Sequence, residues 1–269
     1  MRPFASEDHT YPIPNRTCTR SSSELRQSRY PQAFEYSSSM HTKTGDVESN
    51  PTYITTSLAS ILGTPDQSSI VLSGESVSMN RADAYALVLE YTQSVSLQKH
   101  MLAVEAAMRA YADKFGEDPQ KWAIVGLLHD FDYERWPDPP DHPLKGAAIL
   151  AERGYPQEII YAIKSHADYL KDCPRISRLD KALYACDELS GFCTATAMVR
   201  PSGIHGMKAK SVRKKMKQKS FATNVNRDDI MRGAEDLGVE LNEHIQFVID
   251  AMTTIADELE LNGNSIDSP

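Results

Sequence analysis

Five short segments between His100 and Asp187 decide the fold of this chain. They read KHMLAVEAAM at 99–108, VGLLHDFDYERW at 125–136, HPLKGAAIL at 142–150, AIKSHADY at 162–169 and ALYACDELSG at 182–191. Each segment carries a histidine or an aspartate in or beside an apolar helical pattern, in the order His100, His129, Asp130, His142, His166, Asp187. Neutral imidazoles and carboxylates are ligands of divalent metal ions, and six of them suit two ions that share one carboxylate.

The helical patterns point these side chains inward. His100 lies one turn before Val104 on an apolar face, so it faces the core. Two consecutive residues of a regular helix point ~100° apart, so His129 and Asp130 can reach one site only where their helix ends. A single buried histidine is usually a hydrogen-bonded core residue. Six such residues on successive helices favour a metal site instead.

Composition narrows the class of protein. The 269 residues are 41% hydrophobic and 25% charged with a net charge of −8, which argues against nucleic-acid binding driven by overall charge. The four cysteines (Cys18, Cys173, Cys186 and Cys193) form no CxxC pair, which is typical of reduced thiols in an intracellular protein. No apolar run approaches the ~18 residues of a membrane span, and the first residues lack the apolar stretch of a secretory signal, so none is expected. We expect a soluble, cytoplasmic protein without a membrane partner, although five arginines in the first 30 residues leave organelle targeting open.

The chain divides into three parts. Residues 1–80 are rich in Ser, Thr and Pro without a sustained period, so we expect a largely disordered extension. Residues 81–260 show helical periods throughout and no convincing strand, with Ser96 and Asp118-Pro119 as helix starts and Gly154 as a helix end. Residues 261–269 read as a frayed tail. The predicted fold class is all-α.

At the six ordered residues the chain resembles the HD-domain superfamily, whose order is H…HD…H…H…D. The run HPLKGA at 142–147 is also similar to a run common in that superfamily, and the resemblance covers roughly residues 82–200. It implies a helical bundle in which Asp130 bridges two divalent ions. His100, His129 and Asp187 would complete the shell of the first ion, and His142 and His166 would hold the second. Either ion could be Fe, Mn, Zn, Co or Mg.

The resemblance also implies a function. Most members of the superfamily that this chain resembles are metal-dependent phosphohydrolases. We therefore expect hydrolysis of a small, nucleotide-like phosphomonoester or phosphodiester by a metal-bridging hydroxide. A mixed-valent diiron oxygenase with the same ligand order is the alternative, and a non-catalytic binding module is a third reading. No nucleic-acid partner is expected, and the sequence indicates no oligomeric state.

Further residues near the motif have candidate roles. Asp132 could donate a proton or orient a neighbouring group, and Lys145, one turn after His142, could reach a phosphate. Arg135 and Arg200 are candidate substrate contacts. Residues 208–219 hold seven Lys or Arg and read either as an ordinary surface helix or as a positive rim for an anionic substrate. His205 and His244 are not expected to be ligands.

Overall fold

The computed structural model describes residues 80–263, which form nine α-helices and contain no strand. The helices are α1 (Arg81–Tyr91), α2 (Val95–Phe115), α3 (Pro119–Leu128), α4 (Asp141–Glu152), α5 (Gln157–Ser165), α6 (Arg178–Met198), α7 (Ala209–Met216), α8 (Arg227–Leu237) and α9 (Leu241–Thr253). The all-α prediction is confirmed for this part of the chain. The predicted disordered extension, apart from Asn80, and residues 264–269 of the predicted tail lie outside the described residues.

Polar side chains start several of these helices. The Asp118 carboxylate accepts bonds from the backbone N–H groups of Gln120 and Lys121 ahead of Pro119, as the sequence predicted. The prediction of Ser96 as the cap of α2 is wrong. The helix begins two residues earlier, because the Ser94 hydroxyl accepts from the backbone N–H of Leu97. Such caps each contribute about 1 kcal/mol to stability.

The two long helices α2 and α6 run through the centre of the bundle and carry His100 and Asp187. Helix α3 lies directly against α2 at Gly126. A Cβ there would lie 2.9 Å from the carbonyl oxygen of Val104, so only glycine allows this approach. The close packing brings the end of α3, where His129 and Asp130 follow, next to the face of α2 that carries His100.

Three of the four cysteines lie in the described region. Cys173, Cys186 and Cys193 are buried, and no disulfide joins them there. Among residues 80–263, no helix combines the length and the apolar character needed to cross a membrane.

Candidate metal centre

Helix ends place most of the candidate ligands. Helix α3 ends at Leu128, so His129 and Asp130 stand at its terminus, and α5 ends at Ser165 directly before His166. His142 lies in a kink of α4 with φ −76° and ψ 136°, because a residue before proline is driven out of the helical region. These breaks free the side chains from helical directions and let them converge with those of α2 and α6.

The first set of converging side chains comprises His100, His129, Asp130 and Asp187, whose ligand atoms all lie within 4.8 Å of one another. His100 Nε2 lies 2.9 Å from Asp187 Oδ1. His129 Nε2 lies 3.4 Å from both Asp130 Oδ2 and Asp187 Oδ1. Two imidazoles and two carboxylates thus face one point.

The second set comprises Asp130, His142 and His166. The Nε2 atoms of the two histidines lie 3.3 Å apart. Asp130 Oδ1 lies 3.2 Å from His142 Nε2 and 3.5 Å from His166 Nε2. Asp130 therefore divides its two oxygens, with Oδ2 toward the first set and Oδ1 toward the second, as a bridging carboxylate would.

The three buried histidines are oriented through their Nδ1 atoms. His129 Nδ1 lies 2.7 Å from the carbonyl oxygen of Gly126, and His166 Nδ1 contacts that of Ile163. His142 Nδ1 lies 2.8 Å from Asp132 Oδ1. Acceptors at Nδ1 fix the proton on that nitrogen and leave the Nε2 lone pair directed into the cluster, which is how metal-binding histidines are prepared.

The donor set fits divalent cations. His129 Nε2 is fully buried and forms no hydrogen bond with any residue of the described part of the chain. A buried nitrogen acceptor without a donor is costly. Nε2 atoms of two histidines that face each other at 3.3 Å also require a cation or a proton between them. Both arrangements become favourable when a metal ion accepts the lone pairs.

Electrostatics point the same way. Burial alone would lower the pKa of His142, but the adjacent carboxylates of Asp130 and Asp132 raise it to about 9. For His129, burial is again outweighed by Asp130 and Asp187, which raise its pKa. The carboxylates thus create a strongly negative pocket that favours cations, whether protons or metal ions.

Asp132 contacts the side of the His142 ring that faces away from the cluster. It is 1% exposed, and besides contacting His142 it accepts a 2.7 Å hydrogen bond from the backbone N–H of Gly146. Both oxygens are therefore engaged, which favours the orienting role over the proton-donor role. A Cβ at Gly146 would lie 2.7 Å from Asp132 Cγ, so glycine is required at this position.

Two tyrosines near His142 were not singled out from the sequence. The Tyr169 hydroxyl donates to the carbonyl oxygen of His142, and the ring of Tyr133 meets the His142 imidazole edge-on at 5.1 Å. Burial raises the pKa of both hydroxyls, with the Asp130 carboxylate as a further cause. Their place directly after HDFD and SHAD was the available signal.

The two arginines that were predicted to contact a substrate bind nearby protein groups in the structure. Arg200 lies beyond the end of α6, roughly 20 Å along the chain direction from Asp187, and its guanidinium binds Ser202 and the carbonyl oxygens of Gly203 and His205. The Arg135 guanidinium donates to the carbonyl oxygen of Glu90 and lies 4.1 Å from the centre of the Tyr91 ring in α1. Neither guanidinium belongs to the two sets of converging side chains, and a substrate contact of either arginine stays a prediction.

The remaining candidates are placed as follows. Lys145 is exposed on α4, three residues after His142. His244 is buried, with Nδ1 2.6 Å from the Tyr111 hydroxyl and Nε2 2.9 Å from the Ala185 carbonyl oxygen, and His205 contacts Asn262. Neither of these two histidines belongs to the two sets of converging side chains.

Comparison with known proteins identifies the family of this region. Residues 97–191 match the family model of the HD domain, and this span contains all six converging side chains and Asp132. Searches of curated proteins and of solved structures each returned no match. HD domains bind divalent metals and belong to a superfamily of metal-dependent phosphohydrolase type. Residues 97–191 thus match the HD domain, in agreement with the resemblance drawn from the six ordered residues.

Proposed function

We propose that this protein is a phosphohydrolase that cleaves a small phosphomonoester or phosphodiester, nucleotide-like in kind, at a dinuclear metal centre. The observation that carries the proposal is the division of the Asp130 oxygens between two sets of ligands. One carboxylate that faces two sets, each with its own histidines, suits two ions better than one.

The proposal distributes the ligands between two ions. His100, His129 and Asp187 would hold the first ion and His142 and His166 the second, with Asp130 shared. When bound, two such cations supply an activated water and neutralise charge on a phosphoryl group. Histidine and aspartate ligands accept Fe, Mn, Zn, Co or Mg, so metal identity depends on geometry and supply.

Differences in exposure indicate where a substrate would approach. The side chains of His129, His142 and His166 are at most 1% exposed, whereas His100 is 21%, Asp187 16% and the shared Asp130 15% exposed. The cluster therefore opens on the side of α2 and α6, and the buried histidines close its other side to water. A phosphoryl group would enter past His100 and Asp187.

Lys145 is the cation that we propose to contact a phosphate near the second set. It is exposed on the first regular turn of α4, and a lysine is a compact charge suited to phosphate oxygens. Replacement of Lys145 by alanine should reduce turnover and leave metal content unchanged. Lower metal content in this variant would show a structural role instead.

The proposal is tested by phosphate release from a panel of nucleotides and simple phosphate esters. Wild-type protein is assayed with Mn²⁺, Fe²⁺ and Co²⁺ in turn, and Asp130→Ala serves as the metal-binding control. We expect release with at least one ion in the wild type and none in the variant. Absence of release with all three ions would count against hydrolysis.

A mixed-valent diiron oxygenase is the second candidate, because four histidines and two aspartates with a shared carboxylate also suit two irons. Two bound irons together with substrate-dependent oxygen uptake would favour it over hydrolysis. A small phosphorylated partner and a cytoplasmic location belong to the hydrolase proposal, and the buried cysteines of residues 80–263, which form no disulfide with one another, agree with that location.

A further inference from the structure

Positive charge is concentrated directly after the HD domain. Residues 189–227 contain nine Lys or Arg and no Asp or Glu, in a chain whose net charge is −8. All but the first three residues of this segment lie beyond the HD-domain match, which ends at residue 191. The concentration is therefore an addition to the domain.

Helix α7 holds four of these nine cations, namely Lys210, Arg213, Lys214 and Lys215. Its Val212 is fully buried, and the backbone N–H of Ala209 donates to Gln246 of α9, so the helix is seated on α9. Within residues 80–263, none of the lysines or arginines at 208–219 has a carboxylate within 4.0 Å. Their charge is thus available to a ligand.

The connection from α7 to α8 lies against the face of α6 beside the metal centre. The ring of Phe221 meets that of Phe192 edge-on at 5.6 Å, and the backbone N–H of Asn226 donates to Glu188 Oε2 at 3.3 Å. Glu188 and Phe192 are four residues apart and so share one side of α6.

That side of α6 borders the opening of the cluster. Consecutive residues of a helix point ~100° apart, so the side of α6 with Glu188 and Phe192 is the one next to the side that carries Asp187 and Gly191, whose added Cβ would lie 3.9 Å from His100 Nδ1. His100 and Asp187 are, with Asp130, the half-buried ligands of the cluster. The connection at 217–226 is therefore a wall next to the entrance of the candidate metal centre.

Arg227 fixes the conformation of this wall. Its guanidinium donates to the carbonyl oxygens of Phe221, Ala222 and Val225 and lies 5.0 Å from the centre of the Phe192 ring. A cation engaged with three carbonyls of its own loop organises that loop. The positions of the neighbouring side chains are thereby set relative to α6.

Two lysines stand on the wall. Lys215 Nζ lies 4.5 Å from the centre of the Phe221 ring, and Lys219 is exposed in the turn two residues before Phe221. By contrast, Lys208 and Lys210 lie at the opposite end of α7, before its first full turn is complete. Lys210 and Lys215 lie within α7, Lys208 is its N-cap and Lys219 follows it, so the two pairs of lysines differ in their distance from the wall.

We propose that Lys215 and Lys219 bind a second phosphate group of the substrate, distinct from the one at the metal centre. This inference rests on the proposed function and adds a substrate class to it, namely small nucleotide-like molecules with two phosphate groups. Lysine ammonium groups bind phosphate as point charges, and a positive edge beside a cleft attracts anions into it.

The test compares probes that differ by one phosphate. Adenosine 5′-monophosphate is compared with adenosine 5′-diphosphate and adenosine 3′,5′-bisphosphate, and dissociation constants are measured by calorimetry on the protein as purified with its metals. We expect at least one of the two bisphosphorylated probes to bind about fivefold more tightly than the monophosphate, the effect of two exposed ion pairs. The double variant Lys215→Gln, Lys219→Gln should lose that gain.

The matched control is the double variant Lys208→Gln, Lys210→Gln, which removes the same charge from the same helix and should keep the gain. Equal loss in both double variants, or no gain in the wild type, would overturn the inference. Hydrolysis without this selectivity would refute the second phosphate site alone. The binding pattern without any hydrolysis would refute the hydrolase proposal alone.

Discussion

Replacement of Asp132 by asparagine isolates the support of His142 from the metal ligands themselves. In the wild type both carboxylate oxygens accept, one from His142 Nδ1 at 2.8 Å and one from the Gly146 backbone N–H at 2.7 Å. An asparagine side chain has one acceptor oxygen and one amide donor. If the oxygen stays with Gly146, the amide N–H faces His142 Nδ1 and favours the tautomer with its proton on Nε2, which is the nitrogen that faces the cluster.

The expected magnitude follows from this geometry. A proton on His142 Nε2 blocks coordination by that nitrogen, and loss of such a supporting partner typically lowers metal affinity about 10- to 100-fold. If the oxygen turns to His142 instead, the buried Gly146 N–H loses its acceptor, at a cost of about 1–3 kcal/mol in stability. In both cases the first set of ligands, with His100 and His129, is untouched.

The assay is metal stoichiometry and affinity by chelator competition, with thermal unfolding in parallel. Asp180→Asn is the matched control, because Asp180 lies outside the cluster and, like Asp132, is buried. It is 2% exposed and accepts two hydrogen bonds from the backbone N–H groups of Ile176 and Ser177. We expect Asp132→Asn to weaken one ion selectively and Asp180→Asn to weaken neither. Unchanged affinity for both ions in Asp132→Asn, or equal weakening of both, would refute the assigned role.

Three further outcomes are expected. Gly146→Ala should lower stability by about 1–3 kcal/mol, because its Cβ would lie 2.7 Å from Asp132 Cγ. Gly191→Ala should be tolerated, because the nearest atom to its Cβ would lie 3.9 Å away. Thermal unfolding of the two variants compares the effects. Burial lowers the pKa of His244 to about 4, below the 6.5 of an unfolded chain. The unfolded state therefore binds more protons, and stability falls by a few kcal/mol as the pH drops from 6.5 to 4. Urea unfolding at pH 7.5 and 4.5 should show a smaller pH effect in His244→Gln. Burial lowers the pKa of His142, but neighbouring carboxylates raise it to about 9. The contribution of this histidine to the stability of the metal-free protein is therefore complete below pH 6.5 and is lost as the pH rises toward 9. Metal ions displace that proton, so chelator competition should show affinity rising with pH over the same window.

Much of the site was predictable because local rules decide it. Consecutive helical residues diverge by ~100°, so a functional His129-Asp130 pair required a helix end, and α3 does end at Leu128. The Asp118-Pro119 start and the apolar spacing around His100 followed from equally local rules. These features depend on a few neighbouring residues only.

Other features depend on partners distant in sequence, and there the sequence left alternatives open. Asp132 could have donated a proton or oriented a neighbouring group, and its contacts with His142 and Gly146 favour the second role. Arg200 was predicted as a substrate contact, and its bonds to nearby loop carbonyls could not be derived from residue spacing. The wall formed at Phe221 likewise depends on contact with α6, which no spacing rule reveals.

The central claim is that Asp130 joins two metal sites, and metal content per chain tests it most directly. Wild-type protein purified without added metal is compared with His142→Ala and Asp130→Ala by elemental analysis. The geometry predicts two ions in the wild type, about one in His142→Ala and nearly none in Asp130→Ala. A single ion in the wild type that survives the loss of His142 would contradict the dinuclear account.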